Sequence, residues 1–336
     1  LLRIAGQSLL KLEGKDMVSQ ETVANCLGDW AYQAIADYCE RVFQREAGVL
    51  ADQDPEALHQ MRIGLRRLRS AVLGFAPALD LNGITAADIG KYGRILGKLR
   101  DIDVMLLKLK QLRGMALPES ERQQLKQLRQ LLQGQRRQQV KKVHRFLQSQ
   151  TYQTFKARCH HWLTAPTYRA IATVELSLVL PDLLLPQLSE LLLHPGWWIG
   201  AMEADLGNPD HLSKQDWHCL HDLRKAAKRS RYNRELFLPL YGEDYQQQLK
   251  QIKRVQTLIG EFQDGEVLTD FLWESLRENL KQNPKKTLPV LMQQLTQERQ
   301  QTWVTWQQIR TQFLDPDYRQ NLRQTLSQSI VSHHVS

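Results

Sequence analysis

The sequence predicts an all-α fold, made of two pseudo-symmetric helical bundles that arose by internal duplication. Three observations predict it. Apolar residues recur at i, i+3, i+4 and i+7 over long segments, only 18 Gly and 12 Pro interrupt 336 residues, and motifs of the first half return in order in the second.

In chain order, helical periodicity covers 21–47, 55–79, 85–113, 119–147 and 152–163, then 184–193, 214–238, 244–259, 267–282, 288–313 and 318–329. Pro55 and Pro118 sit where a helix can begin, and Thr85 and Ser213 are N-cap residue types. No segment alternates convincingly with period two, and in 170–180 strand and helix are hard to separate.

The repeat is specific. Leu58-His59-Gln60-Met61-Arg62 with Arg66-Arg67-Leu68-Arg69 returns as Leu220-His221-Asp222-Leu223-Arg224 with Lys228-Arg229-Ser230-Arg231, displaced by 162 positions. Leu96-Gly97-Lys98-Leu99-Arg100-Asp101 returns as Ile259-Gly260-Glu261-Phe262-Gln263-Asp264, displaced by 163. Ser149-Gln150-Thr151-Tyr152 aligns with Asp315-Pro316-Asp317-Tyr318, displaced by 166. A period this long excludes a solenoid. Residues 1–19 read as an N-terminal extension, 20–165 as the first bundle and 166–330 as the second, joined at Thr164-Ala165-Pro166.

Composition points to an anionic partner. The 45 Lys+Arg against 36 Asp+Glu give a net charge of +9 and a pI near 9.4, which matters if the excess is clustered. Cys26, Cys39, Cys159 and Cys219 are widely spaced and read as reduced thiols of a cytoplasmic protein. The most apolar stretch, 176–193, contains Pro181, Asp182, Pro186 and Glu190 and is not expected to span a membrane. The opening Leu1-Leu2-Arg3 carries no long apolar run of a signal peptide.

The cations are clustered. On a helix His59, Arg62, Arg66 and Arg69 fall within an arc of about 80°, beside the apolar arc of Met61, Leu65, Leu68, Val72 and Phe75. From 59 to 69 there is no acid to neutralise the arginines. The second copy offers His221, Arg224, Lys228 and Arg231, and adds Lys225; Arg67 and Arg229 point off the row. Lys91, Arg94 and Lys98 share another face, answered by Lys250, Lys253 and Arg254, with Glu261 in place of Lys98. Arg136, Arg137, Lys141, Lys142 and Arg145 form a third run, Arg137, Lys141 and Arg145 being the groove candidates. Its counterpart keeps only Arg310, so the groove between the halves is expected to be lopsided. A single basic run is ordinarily a solvated face. A duplicated His-x-x-Arg row without acids reads instead as an anion site, because the guanidinium fork makes paired bonds to phosphate oxygens.

These motifs, His59-x-x-Arg62-x-x-x-Arg66-Arg67-x-Arg69, its repeat from His221, and the Leu-Gly-x-x-Arg-Asp-x-Asp run at 96–103 with its degenerate copy at 259–266, resemble the CHAD domain, the conserved histidine α-helical domain. The resemblance spans about residues 20–330. It implies a pseudo-twofold pair of bundles that binds inorganic polyphosphate in a basic central groove, in proteins linked to polyphosphate granules. The Glu-x-Glu-x-Lys signature of the CYTH domain that often accompanies the family is absent from this sequence.

Other chemistries fit less well. His59 and His221 lack a second ligand type at i+3 or i+4 and lie in line with arginines, so no metal site is expected; phosphate hydrogen bonding or a structural role suits them better. Cys159-His160-His161 and His333-His334 are weaker metal candidates still. Asp101 and Asp103, like Asp264 and Glu266, are two apart on a helix and point away from each other, so neither pair can chelate one ion. Asp101 instead lies a turn beyond Lys98, where it can orient cations. No catalytic residue and no cofactor is expected. A nucleic-acid binder is the second reading, against which stands the scarcity of base-reading side chains on the rows, and a polyphosphate-processing enzyme is the third.

Overall fold

The computed structural model describes residues 26–112, 114–200, 209–279 and 281–328. The first half comprises α1 (Leu27–Phe43), α2 (Glu46–Ala51), α3 (Pro55–Gly74), α4 (Ala86–Leu112), α5 (Glu119–Leu147) and α6 (Gln150–Thr164). The second comprises α7 (Leu176–Leu192), α8 (Lys214–Glu235), α9 (Glu243–Glu274), α10 (Pro284–Thr287), α11 (Pro289–Leu314) and α12 (Pro316–Leu326). The 1–19 extension and His333-His334 lie outside the described residues.

Local chemistry sets the helix starts. Asp54 accepts from the Glu56 N–H, with Pro55 at the first helical position of α3. Ser213 and Asp216 form a reciprocal capping box at α8, and Ser149 and Asp315 cap α6 and α12 at equivalent positions.

Packing follows the same order in each half. α3 lies against α1 and α4, as α8 lies against α7 and α9; α4 then packs on α5, as α9 packs on α11. The halves meet where α3 touches α8, and one contiguous apolar cluster runs through both, from Leu65 and Leu96 to Leu223 and Ile259. The two halves of the chain therefore share a core.

A second cluster closes the far end. Met105, Leu109 and Leu112 of α4 and Leu125, Leu128 and Leu132 of α5 meet Leu268 and Leu272 of α9 and Leu291 of α11. Here Glu121, 1% exposed, accepts from the N–H groups of Val290 and Leu291, each at 3.0 Å. A carboxylate from one half thus caps a helix of the other, where the helix dipole favours negative charge.

The structure corrects several boundaries. The expected helices 244–259 and 267–282 are one helix, α9, followed by a π turn at Ser275–Asn279. The buried stripe of Val255, Ile259, Phe262, Leu268 and Leu272 continues through Gly260 and Gly265. α7 starts at Leu176, earlier than 184, and a 3-10 turn at Ala170–Thr173 precedes it. Its prolines, Pro181 and Pro186, lie within the helix. The expected helix 21–47 divides into α1 and α2, and its residues 21–25 are outside the described ones. Two short strands are also present, β1 (Leu79–Asp80) and β2 (Thr167–Tyr168), paired antiparallel with Leu79 opposite Tyr168; β2 directly follows the Thr164-Ala165-Pro166 joint.

Among the described residues, Leu176–Trp198 is long and apolar enough to cross a membrane by composition, yet Leu180, Leu184, Leu188 and Leu191 of this stretch pack into the shared core. Cys39 and Cys159 lie together in the core, and hydrogen bonding between the two thiols, with burial, pushes the Cys159 thiol up.

Candidate functional site

α3 buries Met61, Leu65 and Leu68 against α1 and α4, and this fixes the neighbouring face on which His59, Arg62, Arg66 and Arg69 stand. Arg62 lies across α4 at Gly97, donating to its carbonyl at 3.2 Å and pairing with Asp101 at 3.5 Å. Arg69 donates to the Ala86 carbonyl at 3.1 Å. In the second half Arg224 crosses α9 at Gly260, donating to the Gln256 carbonyl at 3.3 Å and the Gln263 side chain at 3.0 Å. A Cβ on Gly97 would stand 3.4 Å from the nearest Arg62 nitrogen, and one on Gly260 only 2.7 Å from Arg224. The Leu-Gly run and its copy therefore leave space for a guanidinium from the preceding helix.

The two rows converge where α3 meets α8. Arg66 and Arg231 both lie over the buried ring of Tyr232, their guanidinium carbons 5.0 and 4.5 Å from its centroid. Arg231 is further held by Gln256 at 2.8 Å and Glu235 at 2.9 Å. The interactions across the crossing are reciprocal: the Arg224 charge acts on Arg66, and the Arg62 charge acts on Lys228. Arg62 and Arg224 are matching positions of the sequence motif, as are Arg66 and Lys228.

Burial disturbs these groups in a consistent direction, and neighbouring positive charge adds to it at Lys228, Arg62, Arg66, His59 and His221. Burial, followed by the charges of Arg224 and Arg66, pushes the Lys228 ammonium down to about 7, with Asp264 opposing and Arg62 adding. Burial also lowers Arg62, where Asp101 opposes it, and Arg224, where Asp264 does. Arg66 is exposed as a residue, yet burial of its guanidinium, which lies over Tyr232, lowers it too. His59 is lowered by burial and then by Arg100; His221 by burial, against a hydrogen bond with Gln263. The charge of an anion bound here would oppose each shift.

The remaining candidates are less tightly gathered. Lys91, Arg94, Lys98, Arg137, Lys141, Arg145, Lys250 and Arg254 are exposed. Lys225 is exposed and paired with Asp222 at 2.8 Å. Arg67 approaches Glu235 at 3.9 Å and Arg229 pairs with Glu190, both off the row. Arg136 is committed to structure, bonding both oxygens of Asp52 and, at 2.7 Å, the buried Asp103. Asp101 and Asp103 thus serve different arginines on different sides of α4. Arg310 is buried and bonds the Ile199 carbonyl. His160 packs on Phe43, 5.3 Å between ring centroids. No group of three metal-ligating side chains gathers among the described residues.

Sequence reasoning did not single out Tyr232, Arg100, Gln256 or Gln263. Arg100 was within reach, since it belongs to the motif run and faces His59 and Arg62. Tyr232 follows Arg231 directly, but only the crossing of α3 and α8 reveals that it receives an arginine from each half.

The CHAD domain family model matches residues 33–273, a shorter span than 20–330, ending before α10, α11 and α12. No curated protein matches the chain. The crystal structure of the CHAD domain from the plant Ricinus communis is similar with a TM-score of 0.57 at 22% identity, over 90% of this chain and 92% of that one. PptA from Streptomyces chartreusis is similar with a TM-score of 0.61 at 14% identity, over 84% and 99% of the two chains. At these identities the neighbours speak for the fold. The helical order, the paired histidine–arginine rows and the family match lead to one conclusion: the chain belongs to the CHAD domain family.

Proposed function

We propose that the crossing of α3 and α8 binds inorganic polyphosphate without catalysing a reaction on it. The observation that carries this reading is the convergence of Arg62 and Arg66 from one half with Arg224, Lys228 and Arg231 from the other around Tyr232. Asp101, Asp264 and Glu235 are the acids that answer them. Such a cluster costs free energy while it lacks a counter-charge and regains it when phosphate oxygens supply one. The exposed cations of α4, α5 and α9 extend the positive surface beyond the crossing, which suits a ligand longer than the cluster itself. His59 and His221 would add neutral hydrogen-bond donors at the edges.

Competition tests the reading. Inorganic polyphosphate should displace duplex DNA from the chain at comparable phosphate concentration, and added magnesium should release no inorganic phosphate. Tighter retention of DNA would favour a nucleic-acid ligand, and sustained phosphate release would favour an enzyme.

A further inference from the structure

We propose that a cleft between α9 and the start of α12 is a second ligand site, which takes a neutral, hydroxyl-rich molecule of the size of a mono- or disaccharide. The cleft holds about 520 Å³, within the range of small-molecule sites. Its polar wall is held in place from the core. Gln248 lines the cleft and is buried; its Oε1 accepts from Arg234 Nη2 at 2.8 Å, and its Nε2 donates to Asn321 Oδ1 at 2.6 Å and to Thr325 Oγ1 at 2.7 Å. Arg234 is itself fully buried, its guanidinium carbon 4.4 Å from the centroid of the Tyr245 ring. The internal repeat does not account for this network: at a displacement of 162 the first half carries the buried, apolar Val72 where the second carries Arg234.

Two polar atoms of residues lining the cleft have nothing to bond. The Tyr318 hydroxyl and Gln251 Oε1 are buried without a hydrogen-bond partner among the described residues, although buried polar groups are as a rule paired and costly when they are not. The lining decides which ligand supplies the partners. Asp244 and Asp317 stand in it with no lysine or arginine beside them, so a phosphate polyanion is repelled. An organic cation is opposed in turn by the amide N–H groups of Gln247 and Gln312, by that of Asn321, whose Oδ1 is committed to Gln248, and by the Arg234 charge behind Gln248. Hydroxyl groups both donate and accept. They match amides, carboxylates and a phenol together, and a sugar carries several of them in a small volume.

Saturation-transfer NMR on the full chain tests the proposal, with glucose, maltose, sucrose and trehalose as probes and glucose 6-phosphate and spermidine as charged comparators. A neutral sugar should show transfer. Its affinity should fall at least about fivefold in Tyr318→Phe, the equivalent of one hydrogen bond, and further in Gln247→Ala with Asp317→Ala. Tyr318→Phe keeps the ring packed on Phe313 and should leave the sugar-free melting temperature unchanged, because the hydroxyl bonds nothing in the protein. Polyphosphate affinity should be the same in all these variants, and Arg66→Glu with Lys228→Glu should leave the sugar signal intact, so this site and the function proposed above fail separately. Absence of transfer from every neutral sugar overturns the proposal, as does stronger transfer from glucose 6-phosphate or spermidine. A sugar affinity unchanged by the variants, or a sugar-free melting temperature lowered by Tyr318→Phe, overturns it equally.

Discussion

Arg66 of α3 lies over the ring of Tyr232 of α8, its guanidinium carbon 5.0 Å from the ring centroid. The contact joins the halves and places an arginine of the first row beside those of the second. Tyr232→Phe keeps the ring and should leave both melting temperature and polyphosphate affinity unchanged. Tyr232→Leu removes two cation–ring contacts, each worth about 0.5–2 kcal/mol, and should lower both. Thermal denaturation and calorimetry of the two variants check this; a Leu variant equal to the Phe variant would deny the ring its role.

Gly260→Ala should weaken polyphosphate binding several-fold without loss of helix. The new Cβ would stand 2.7 Å from Arg224 and displace its guanidinium from α9, although alanine is intrinsically better in a helix by about 1 kcal/mol. Gly97→Ala meets Arg62 at 3.4 Å and should do less. Gly134→Ala, with nothing within 4 Å, should only stabilise. Circular dichroism and binding titrations separate the three.

Binding should tighten as pH falls from about 8 to about 6. Lys228 is held at about 7 in the ligand-free chain, and His59 and His221 are held below their ordinary values. A bound anion raises all three, so the complex takes up protons over that window. Calorimetry in two buffers of different ionisation enthalpy should report proton uptake, and Lys228→Gln should reduce it. The same depression has the opposite consequence for the fold. Lys228 binds its proton more weakly folded than unfolded, so its unfavourable contribution grows as pH falls from the ordinary lysine range to about 7 and is constant below. Lys228→Gln should therefore melt higher than the native chain at pH 6, when no ligand is present.

Glu121→Ala should destabilise the fold by about 1–3 kcal/mol, because it strands the buried N–H groups of Val290 and Leu291. Polyphosphate affinity should be retained once the variant is folded, since the clasp is made at the distal cluster, away from the arginine rows. A stable Glu121→Ala protein in thermal denaturation would contradict the assignment of this carboxylate as a cross-half cap.

Much of the fold was legible because its signals are local. Pro118 and the apolar spacing placed α5 at Glu119–Leu147, and Pro55 and Ser213 placed the starts of the two arginine-bearing helices. What was not legible depends on residues distant in sequence. Arg136 looks like its neighbours in a basic run until Asp52 and Asp103 arrive from α2's end and α4. Gly260 is only a motif position until Arg224 fills the space beside it. Glu121 looks like a first-turn acid of α5, which it is, while its partners belong to α11. The rows themselves were readable from spacing, but their convergence on Tyr232 required the packing of one half on the other.

The central claim is that the α3–α8 crossing holds the polyanion, and calorimetric titration with inorganic polyphosphate of the native chain against Arg66→Glu with Lys228→Glu tests it most directly. Both proteins must first show the same helical circular dichroism. The account predicts native binding that weakens steeply as salt rises. It predicts that the double variant is near background, since each charge-assisted bond lost is worth roughly 1.5–3 kcal/mol and is replaced by repulsion. A double variant that binds with native affinity at the same salt would contradict it and move the site to the exposed cations of α4, α5 and α9.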